Sequence, residues 1–522
     1  YMGLMFGSHG AASAASWVTV ILFMEVARRA LQPMNKQQIV ILLHAARAMM
    51  AGHVLFPGGP FGHLVFRAYL VGSEAVRDAG MSGAFPSWWV PPADSPAIAE
   101  RTLFRPDWLL PVSVTVFVVM LALVKKYTMG YFFFRLTSDV ENLPFPLAPI
   151  RAQGAMALAE ADENVKPDKE VETKDLLKPQ KDRKKSMRWR IFSLGVVMGI
   201  GFGFFKVGIP AITGLFLSKP FFLIPQPWVD TTTLTESVLP ATPTGLTFEL
   251  LPVLTGFVLP FWSIMGSFAA IAMTIILNPI LHHAGILHHW QPGMDTINTT
   301  FANQMDFWMS FGIGSALGIT GVCLFATVKD VRAKVKDVRN RRENAREETA
   351  SLWETPAIGR GDYPLWLALI LYVVAATAMV ILGWILLPHN INVLLFLIFF
   401  AFLYNPLMSY VNARLLGISG QHVQIPHIKD ACFILSGAKG IEIWLAPVPL
   451  DHFGQQAQAF RINELTGVSF FSLLKCDLLT LPVLLLLSLL FWSFIWKSDA
   501  IPSDTFPTAG KLWELRAKNE VL

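Results

Sequence analysis

Polar residues that interrupt long apolar runs are the places where this chain could do chemistry. The clearest case is residues 390–464, where an apolar run at 391–403 is followed by a glycine-rich break. Polar groups at membrane depth are costly unless they face protein or a water-filled cavity, and broken backbone is tolerated there only around a cavity. The stretch therefore predicts a polar path through a membrane protein. Its polar and charged residues include Asn405, Asn412, Arg414, Asp430, Lys439 and Glu442.

Two earlier apolar segments also carry charge. His44 and Arg47 lie three positions apart in residues 38–56, so they share one helix face and either line a path or pair within the bundle. Lys206 is the only charge in the apolar run 191–217. A lone lysine at such depth is a functional-site hypothesis, and the alternative is that its side chain snorkels to an interface.

A proline-rich loop at residues 141–149 leads into a segment of strong helix formers that contains Arg151 and Glu160. Such a helix start presents free N–H groups and a positive dipole end to an anion. An ordinary proline-led helix start explains the pattern equally well.

The sequence predicts no metal site, no cofactor and no enzyme activity. Four histidines at 282, 283, 288 and 289 lack the i, i+4 pair of a helical zinc site. The three cysteines are far apart in apolar segments and are expected to be packing residues. The sequence has no nucleophile elbow and no nucleotide-binding loop, and its net charge of +5 comes from a few loops, which does not indicate nucleic acid.

The elements that must position these residues are membrane helices. Hydrophobic residues make up 53% of the 522 residues and charged residues 15%, against about 25% charged in soluble domains. Because about 20 apolar residues span a bilayer, we predict an all-α, polytopic membrane bundle with roughly ten to twelve segments. Several of these are expected to be interrupted or re-entrant, in two pseudo-symmetric halves.

The charge pattern divides the chain. Membrane helices are predicted at 1–160, 191–328 and 351–497, with an interfacial, tryptophan-rich insert at 58–107 and a polar tail at 498–522. A span is predicted at 109–124, with Lys125 and Lys126 marking its end. The charged stretches 161–190 and 329–350 are placed in the cytoplasm by the positive-inside rule. We expect a bacterial inner membrane protein.

Several short motifs carry a family resemblance that extends over most of the chain from Trp17. They are LPFPLA at 143–148, GLTF at 245–248, GFVLP at 256–260, NP at 278–279, WQPGM at 290–294, NARLLG at 412–417 and FWSFIW at 491–496. With these motifs the chain resembles the oligopeptide transporter superfamily, in its divergent prokaryotic branch. Phe145 and Leu147 stand where better-known members carry tyrosine and a small or acidic residue.

The resemblance implies a proton-coupled importer of small peptides or metal chelates that works by alternating access. We then expect the site between residues 144–160 and 405–442, within the lipid bilayer. Substrate-binding candidates are Arg151, Asn405, Asn412, Arg414 and Lys439, and proton-relay candidates are Glu160, Asp430, Glu442, His44 and Lys206. The alternative is a non-transporting scaffold subunit of a larger membrane assembly, and a homo-oligomer is compatible with either.

Overall fold

The structure is a computed structural model that describes most of the chain. The described residues are 10–32, 34–50, 59–81, 83–163, 179–217, 221–225, 228–248, 250–257, 259–342, 359–387, 389–503, 506, 509, 513, 514, 516, 517 and 520. Much of the two charged stretches, at 164–178 and 343–350, lies outside these residues.

Helices make up nearly all of the regular structure, which confirms the predicted all-α class. In the first part of the chain they are α1 Gly10–Arg29, α2 Lys36–Met50, α3 Gly59–Val71, α4 Glu74–Asp78, α5 Pro96–Ala99, a 3₁₀ turn Pro106–Trp108, α6 Leu109–Phe134 and α7 Leu147–Glu163. In the middle part they are α8 Pro179–Gly203, α9 Ile209–Phe216, α10 Thr232–Thr235, α11 Leu250–Gly256, α12 Phe261–His283, α13 Thr296–Asn303 and α14 Met309–Arg342. The last part holds α15 Leu365–Leu386, α16 Ile391–Phe399, α17 Asn405–Ile418, α18 Ile428–Ser436, α19 Glu442–Leu445, α20 Gly454–Thr466 and α21 Phe470–Ser498.

A short pair of antiparallel strands accompanies the helices in the described part of the chain. Strand β1 Val229–Asp230 pairs antiparallel with β2 Gly245–Leu246, with Val229 opposite Leu246 and Asp230 opposite Gly245. Asp230 fixes the region further, because its carboxylate accepts the backbone N–H of Thr232 at 2.8 Å and of Thr296 at 2.7 Å.

Seven helices in the described part of the chain are long and apolar enough to cross a membrane. They are Pro106–Val140, Ser193–Gly214, Phe261–His283, Thr296–Ala326, Leu365–Leu386, Ile391–Ile418 and Phe470–Ser498. The first continues beyond the predicted end at residue 124, so the prediction that Lys125 and Lys126 mark a helix end is wrong. Both lysines remain inside the helix because each finds a carboxylate on another element.

Wide π turns occur within several of the long helices, which continue unbroken through them. Four of the spans contain one in the described residues: Arg135–Val140, Phe204–Gly208, Gln304–Trp308 and Phe400–Tyr404. Such turns shift one backbone hydrogen bond to the i→i+5 pattern and are frequent at functional sites. Each of them contains or directly precedes a polar residue that carries an argument below.

The protein core lies around α6, which packs against α15, α17 and α20. Helix α20 also contacts α7, and α2 packs between α1, α7 and α21. In the spans Leu365–Leu386 and Ile391–Ile418, 39% of the residues in the most apolar stretch are buried inside the protein. The corresponding share in Ser193–Gly214 is 6%. The C-terminal spans therefore supply the packed interior.

The tryptophans of the 58–107 insert and of its end are buried in this core. Trp88, Trp89 and Trp108 are 9%, 3% and 0% exposed. Trp108 meets Trp496 edge to face, with ring centroids 5.9 Å apart. Burial of such large side chains fixes the start of α6 against the end of α21.

Candidate functional site

A cavity of about 470 Å³ opens between α6, α21 and the chain that leads into α20. Its polar lining comes mainly from Lys126 on α6 and from residues 451–456. The side chains that line it are Val119, Ala122, Leu123, Lys126, Gln424, Leu450, Asp451, His452, Phe453, Gln455, Gln456 and Leu481. A volume in this range suits a small-molecule ligand, and its walls offer both charges and amides.

Lys126 connects this cavity to a buried carboxylate on the last membrane helix. Its Nζ donates to Oδ2 of Asp477 at 2.6 Å, and the Tyr127 hydroxyl donates to the same oxygen at 2.9 Å. The Nε2 atom of His44 lies 2.7 Å from the other oxygen, Oδ1. The Asp477 side chain is only 5% exposed, so these three groups replace water around it.

Three elements converge to form this cluster: α2 brings His44, α6 brings Lys126 and α21 brings Asp477. A carboxylate inside a membrane helix is tolerated when it is paired in this way, and such residues are typical of proton pathways. Histidine is the side chain whose ordinary pKa puts its protonation change nearest neutral pH. The cluster places such an imidazole 2.7 Å from a buried carboxylate.

The neighbouring lysine reaches the opposite wall of the cavity. Lys125 is 1% exposed and donates from Nζ to Oδ2 of Asp451 at 2.5 Å. Its ammonium also lies 5.8 Å from the centre of the Phe453 ring. The side chain of Asp451 is 48% exposed, so this carboxylate keeps one face available to the cavity.

His452 adds an uncharged imidazole to the lining. Burial lowers its pKa below the ordinary 6.5, and His422 lowers it further, while Asp451 opposes the change. The two histidine rings are 5.9 Å apart. Nδ1 of His452 has no hydrogen-bond partner among the described residues. At neutral pH the cavity therefore presents a neutral ring nitrogen close to Asp451.

A second ionic cluster lies at the far end of α6 and is closed. Arg360 donates to Asp139 at 2.6 Å, to Asp362 at 2.8 Å and to Glu464 at 2.6 Å. Burial would lower the pKa of this arginine, but the hydrogen bonds to the three carboxylates raise it well above its ordinary value. Arg135 pairs with Asp139 at 2.7 Å in the π turn. These contacts fasten α6, α15 and α20 together.

The predicted substrate-binding residues do not line the cavity. Arg414 donates from Nε to Oε2 of Glu141 at 2.8 Å, and Oδ1 of Asn412 accepts the N–H of Val423 at 2.7 Å. Asn405 is 1% exposed, and its side chain lies beside that of Tyr372. Arg151 and Lys439 are exposed on α7 and after α18. The structure therefore does not bring the five together.

Of the predicted proton-relay residues, His44 joins the Asp477 cluster. Asp430 accepts from Nδ1 of exposed His427 at 2.9 Å, and Glu442 begins the short helix α19. Lys206 lies in the π turn Phe204–Gly208 and donates to the carbonyl of Phe248 at 3.3 Å. The backbone of Glu160 is part of α7, and its side chain is not among the described parts of the structure.

The functional candidates that the sequence analysis missed are Lys126, Asp451, His452 and Asp477. The sequence does carry a signal for Asp477, because this acid lies inside the apolar run 470–496. Lys206 was singled out for the same reason, as a charge inside an apolar run. Lys126 offered no such signal, since a lysine after an apolar run is typical of a helix end.

In a comparison with family models, the model for the OPT oligopeptide transporter protein matches residues 114–439. Comparisons with curated proteins and with solved structures returned no match. The matched region holds Lys126, Arg135 and Arg414, while His44, Asp451 and Asp477 lie outside it. Since the match covers more than half of the chain and the apolar helices agree with it, this integral membrane protein belongs to the OPT oligopeptide transporter family.

Proposed function

We propose that the protein imports small peptides or metal chelates together with protons, by alternating access. One observation carries the proposal: Lys126 lines the cavity and is also a partner of buried Asp477. A ligand carboxylate that binds Lys126 competes with Asp477 for the same ammonium. The ligand site and the proton site therefore share one group, which is what coupling requires.

The charges around the cavity suit a zwitterionic ligand. A carboxylate is matched to Lys126, and an ammonium or another cationic group is matched to the exposed face of Asp451, since charge-assisted hydrogen bonds are the strong ones. The amides of Gln424, Gln455 and Gln456 can pair with peptide groups. Neutral His452 adds a donor or an acceptor without changing the charge balance.

The proton is handled on the other side of Lys126. When a ligand takes the lysine, Asp477 loses one positive partner in a site that excludes water. Protonation of the His44–Asp477 pair then compensates for that loss. Release of the ligand restores the Lys126–Asp477 contact and favours release of the proton. By the positive-inside rule we assign the charged stretches to the cytoplasmic side of a bacterial inner membrane, and release of the ligand on that side is part of the proposal.

The test is uptake of a labelled mixture of peptides and iron chelates into proteoliposomes, with and without an inward proton gradient. We expect gradient-dependent accumulation by the wild type. Asp477→Asn should lose accumulation but keep ligand exchange at equal pH, because the cavity remains. Asp430→Asn is the matched control, since its carboxylate also pairs with a histidine but lies outside the cluster. Equal accumulation by Asp477→Asn and the wild type contradicts the proposed coupling.

A scaffold subunit is the second candidate function. It is favoured by the closed contacts of Arg360 with three carboxylates and of Arg414 with Glu141, which leave these charges no free face for a ligand. A scaffold subunit would accumulate nothing in the uptake test while remaining folded and monodisperse. It would also be purified from membranes in a stable complex with other subunits.

A further inference from the structure

We propose that His288, His289 and Asp306 form a binding site for a first-row divalent metal ion such as Zn²⁺. The two histidines lie on the loop after α12, and Asp306 lies in the π turn Gln304–Trp308. Their ligand atoms all lie within 4.8 Å of one another. The site is separate from the cavity, and it does not depend on the transport reaction.

The geometry places one carboxylate oxygen between two imidazoles. Oδ1 of Asp306 is 2.5 Å from Nδ1 of His289 and 3.3 Å from Nε2 of His288. Two imidazole nitrogens and a carboxylate oxygen are a common ligand set for zinc, which binds them at about 2.0–2.2 Å and keeps a fourth position for water. The imidazoles are exposed and can turn, so binding requires movement of these two side chains and not of Asp306.

A buried carboxylate supports a metal over an ordinary surface ion pair. The side chain of Asp306 is 2% exposed, whereas those of His288 and His289 are 65% and 57% exposed. The second oxygen, Oδ2, accepts the backbone N–H of His289 at 3.0 Å. This bond orients the carboxylate so that Oδ1 faces the histidines, as second-shell hydrogen bonds orient ligands in known metal sites.

The loop that carries the histidines is held in place on both sides of them. Leu287 is 1% exposed and Trp290 is 6% exposed, so the exposed pair lies between two buried anchors. The N–H of Gly293 donates to Glu236 at 2.8 Å, and Asp295 accepts the N–H of Asn298 at the start of α13. Because these contacts already fix the loop, less conformational entropy is lost when the ligands are ordered around the ion.

The spacing of the four histidines alone predicts no metal site. It misses the third ligand, which is a carboxylate 17 positions further along the chain. His283 does not contribute, because its Nδ1 lies 2.7 Å from the carbonyl of Pro279. The tertiary structure therefore supplies a ligand set that the local pattern lacks.

The test uses the full chain in detergent, with any affinity tag removed and metal stripped by a chelator. Co²⁺ is the probe, because its visible absorption reports a tetrahedral site, and Zn²⁺ then competes for it. We expect saturable binding of one ion per chain. The double variant His288→Gln/His289→Gln and the single variant Asp306→Asn should each weaken binding by at least about tenfold.

The matched control is His427→Gln/Asp430→Asn, which removes an exposed histidine–aspartate pair that has no third metal-ligating side chain among the described residues. This control should bind Co²⁺ as the wild type does. The two histidine substitutions are on exposed side chains, so the double variant stays folded even where Asp306→Asn does not. The proposal is overturned if the wild type shows no saturable binding, or if the histidine double variant binds as tightly as the wild type.

Discussion

The guanidinium of Arg414 donates from Nε to Oε2 of Glu141 across 2.8 Å, and the two side chains are 9% and 12% exposed. The hydroxyl of Tyr410 donates to the other carboxylate oxygen. Glu141 directly follows the π turn at the end of the first long span, and Arg414 lies on α17. This largely buried ion pair therefore joins two membrane helices that are more than 270 residues apart in sequence.

Replacing this arginine should lower the stability of the folded protein. Arg414→Gln leaves Glu141 buried without its charged partner, which costs about 3–5 kcal/mol in comparable buried pairs. We expect a lower unfolding temperature in detergent and a loss of folded protein in membranes. Fluorescence-monitored thermal unfolding measures the change.

The double variant Arg414→Gln/Glu141→Gln provides the control for that prediction. It removes both charges, so most of the lost stability should return. If Arg414→Gln instead unfolds like the wild type but abolishes uptake, the arginine binds substrate, as the sequence analysis expected.

The Lys125–Asp451 pair should respond unequally to removal of its two members. Asp451→Asn leaves an ammonium that is 2% exposed without a counter-charge, and we expect a loss of about 3–5 kcal/mol. Lys125→Met leaves a carboxylate that is 48% exposed and still hydrated, so the loss should stay within about 1 kcal/mol. Chemical unfolding of both variants measures the difference. Equal losses would mean that the lysine finds another partner.

His452 should make stability depend on pH below neutrality. Because the pKa of this histidine is lowered in the folded protein, its contribution to stability is complete above pH 6.5 and is lost as the pH falls through the folded value. The wild type should therefore lose more stability between pH 7 and pH 5 than His452→Gln. Unfolding temperatures of both proteins across this range test the sign. His422→Gln, which removes the neighbouring imidazole, should reduce the loss without abolishing it.

A glycine at the α17–α20 contact should not tolerate a methyl group. A Cβ atom on Gly454 would lie 2.5 Å from the backbone nitrogen of Ala413 and 2.6 Å from Cβ of Asn412. We expect Gly454→Ala to destabilise the protein by about 1–3 kcal/mol, since two helices must move apart. Gly199→Ala is the control, because a Cβ there meets nothing within 4 Å and alanine favours the helix. Similar unfolding temperatures for the two variants would contradict the tight contact.

The sequence predicted the fold class and one member of the candidate site. Apolar runs of membrane length identify spans such as Leu365–Leu386 without further information, because the bilayer sets their length. His44 could be found because a histidine in an apolar helix is unusual by itself. Its partner could not be found, since 433 positions separate it from Asp477 and no local pattern links them.

The burial of Lys125 and of Trp108 could not be predicted from the sequence, for one physical reason. Lysine and tryptophan are typical of both membrane interfaces and buried pairs, and only the tertiary partner distinguishes the two. Lys125 is buried because Asp451 lies opposite it, and Trp108 is buried because Trp496 covers it. The partners of both are more than 300 residues away.

The π turns of the described spans determine which side chains beyond them face the protein. Each extra residue rotates the helix beyond it by about 100° relative to a regular α-helix, while the helix continues unbroken. In the span Ile391–Ile418 this offset decides that Asn405, Ser409 and Asn412 turn toward the protein and away from lipid. Loss of a single residue from Phe400–Tyr404 would keep the span long enough to cross the bilayer, and yet it would rotate Asn405, Ser409 and Asn412 by about 100° around the helix axis, away from the protein neighbours that now bury them.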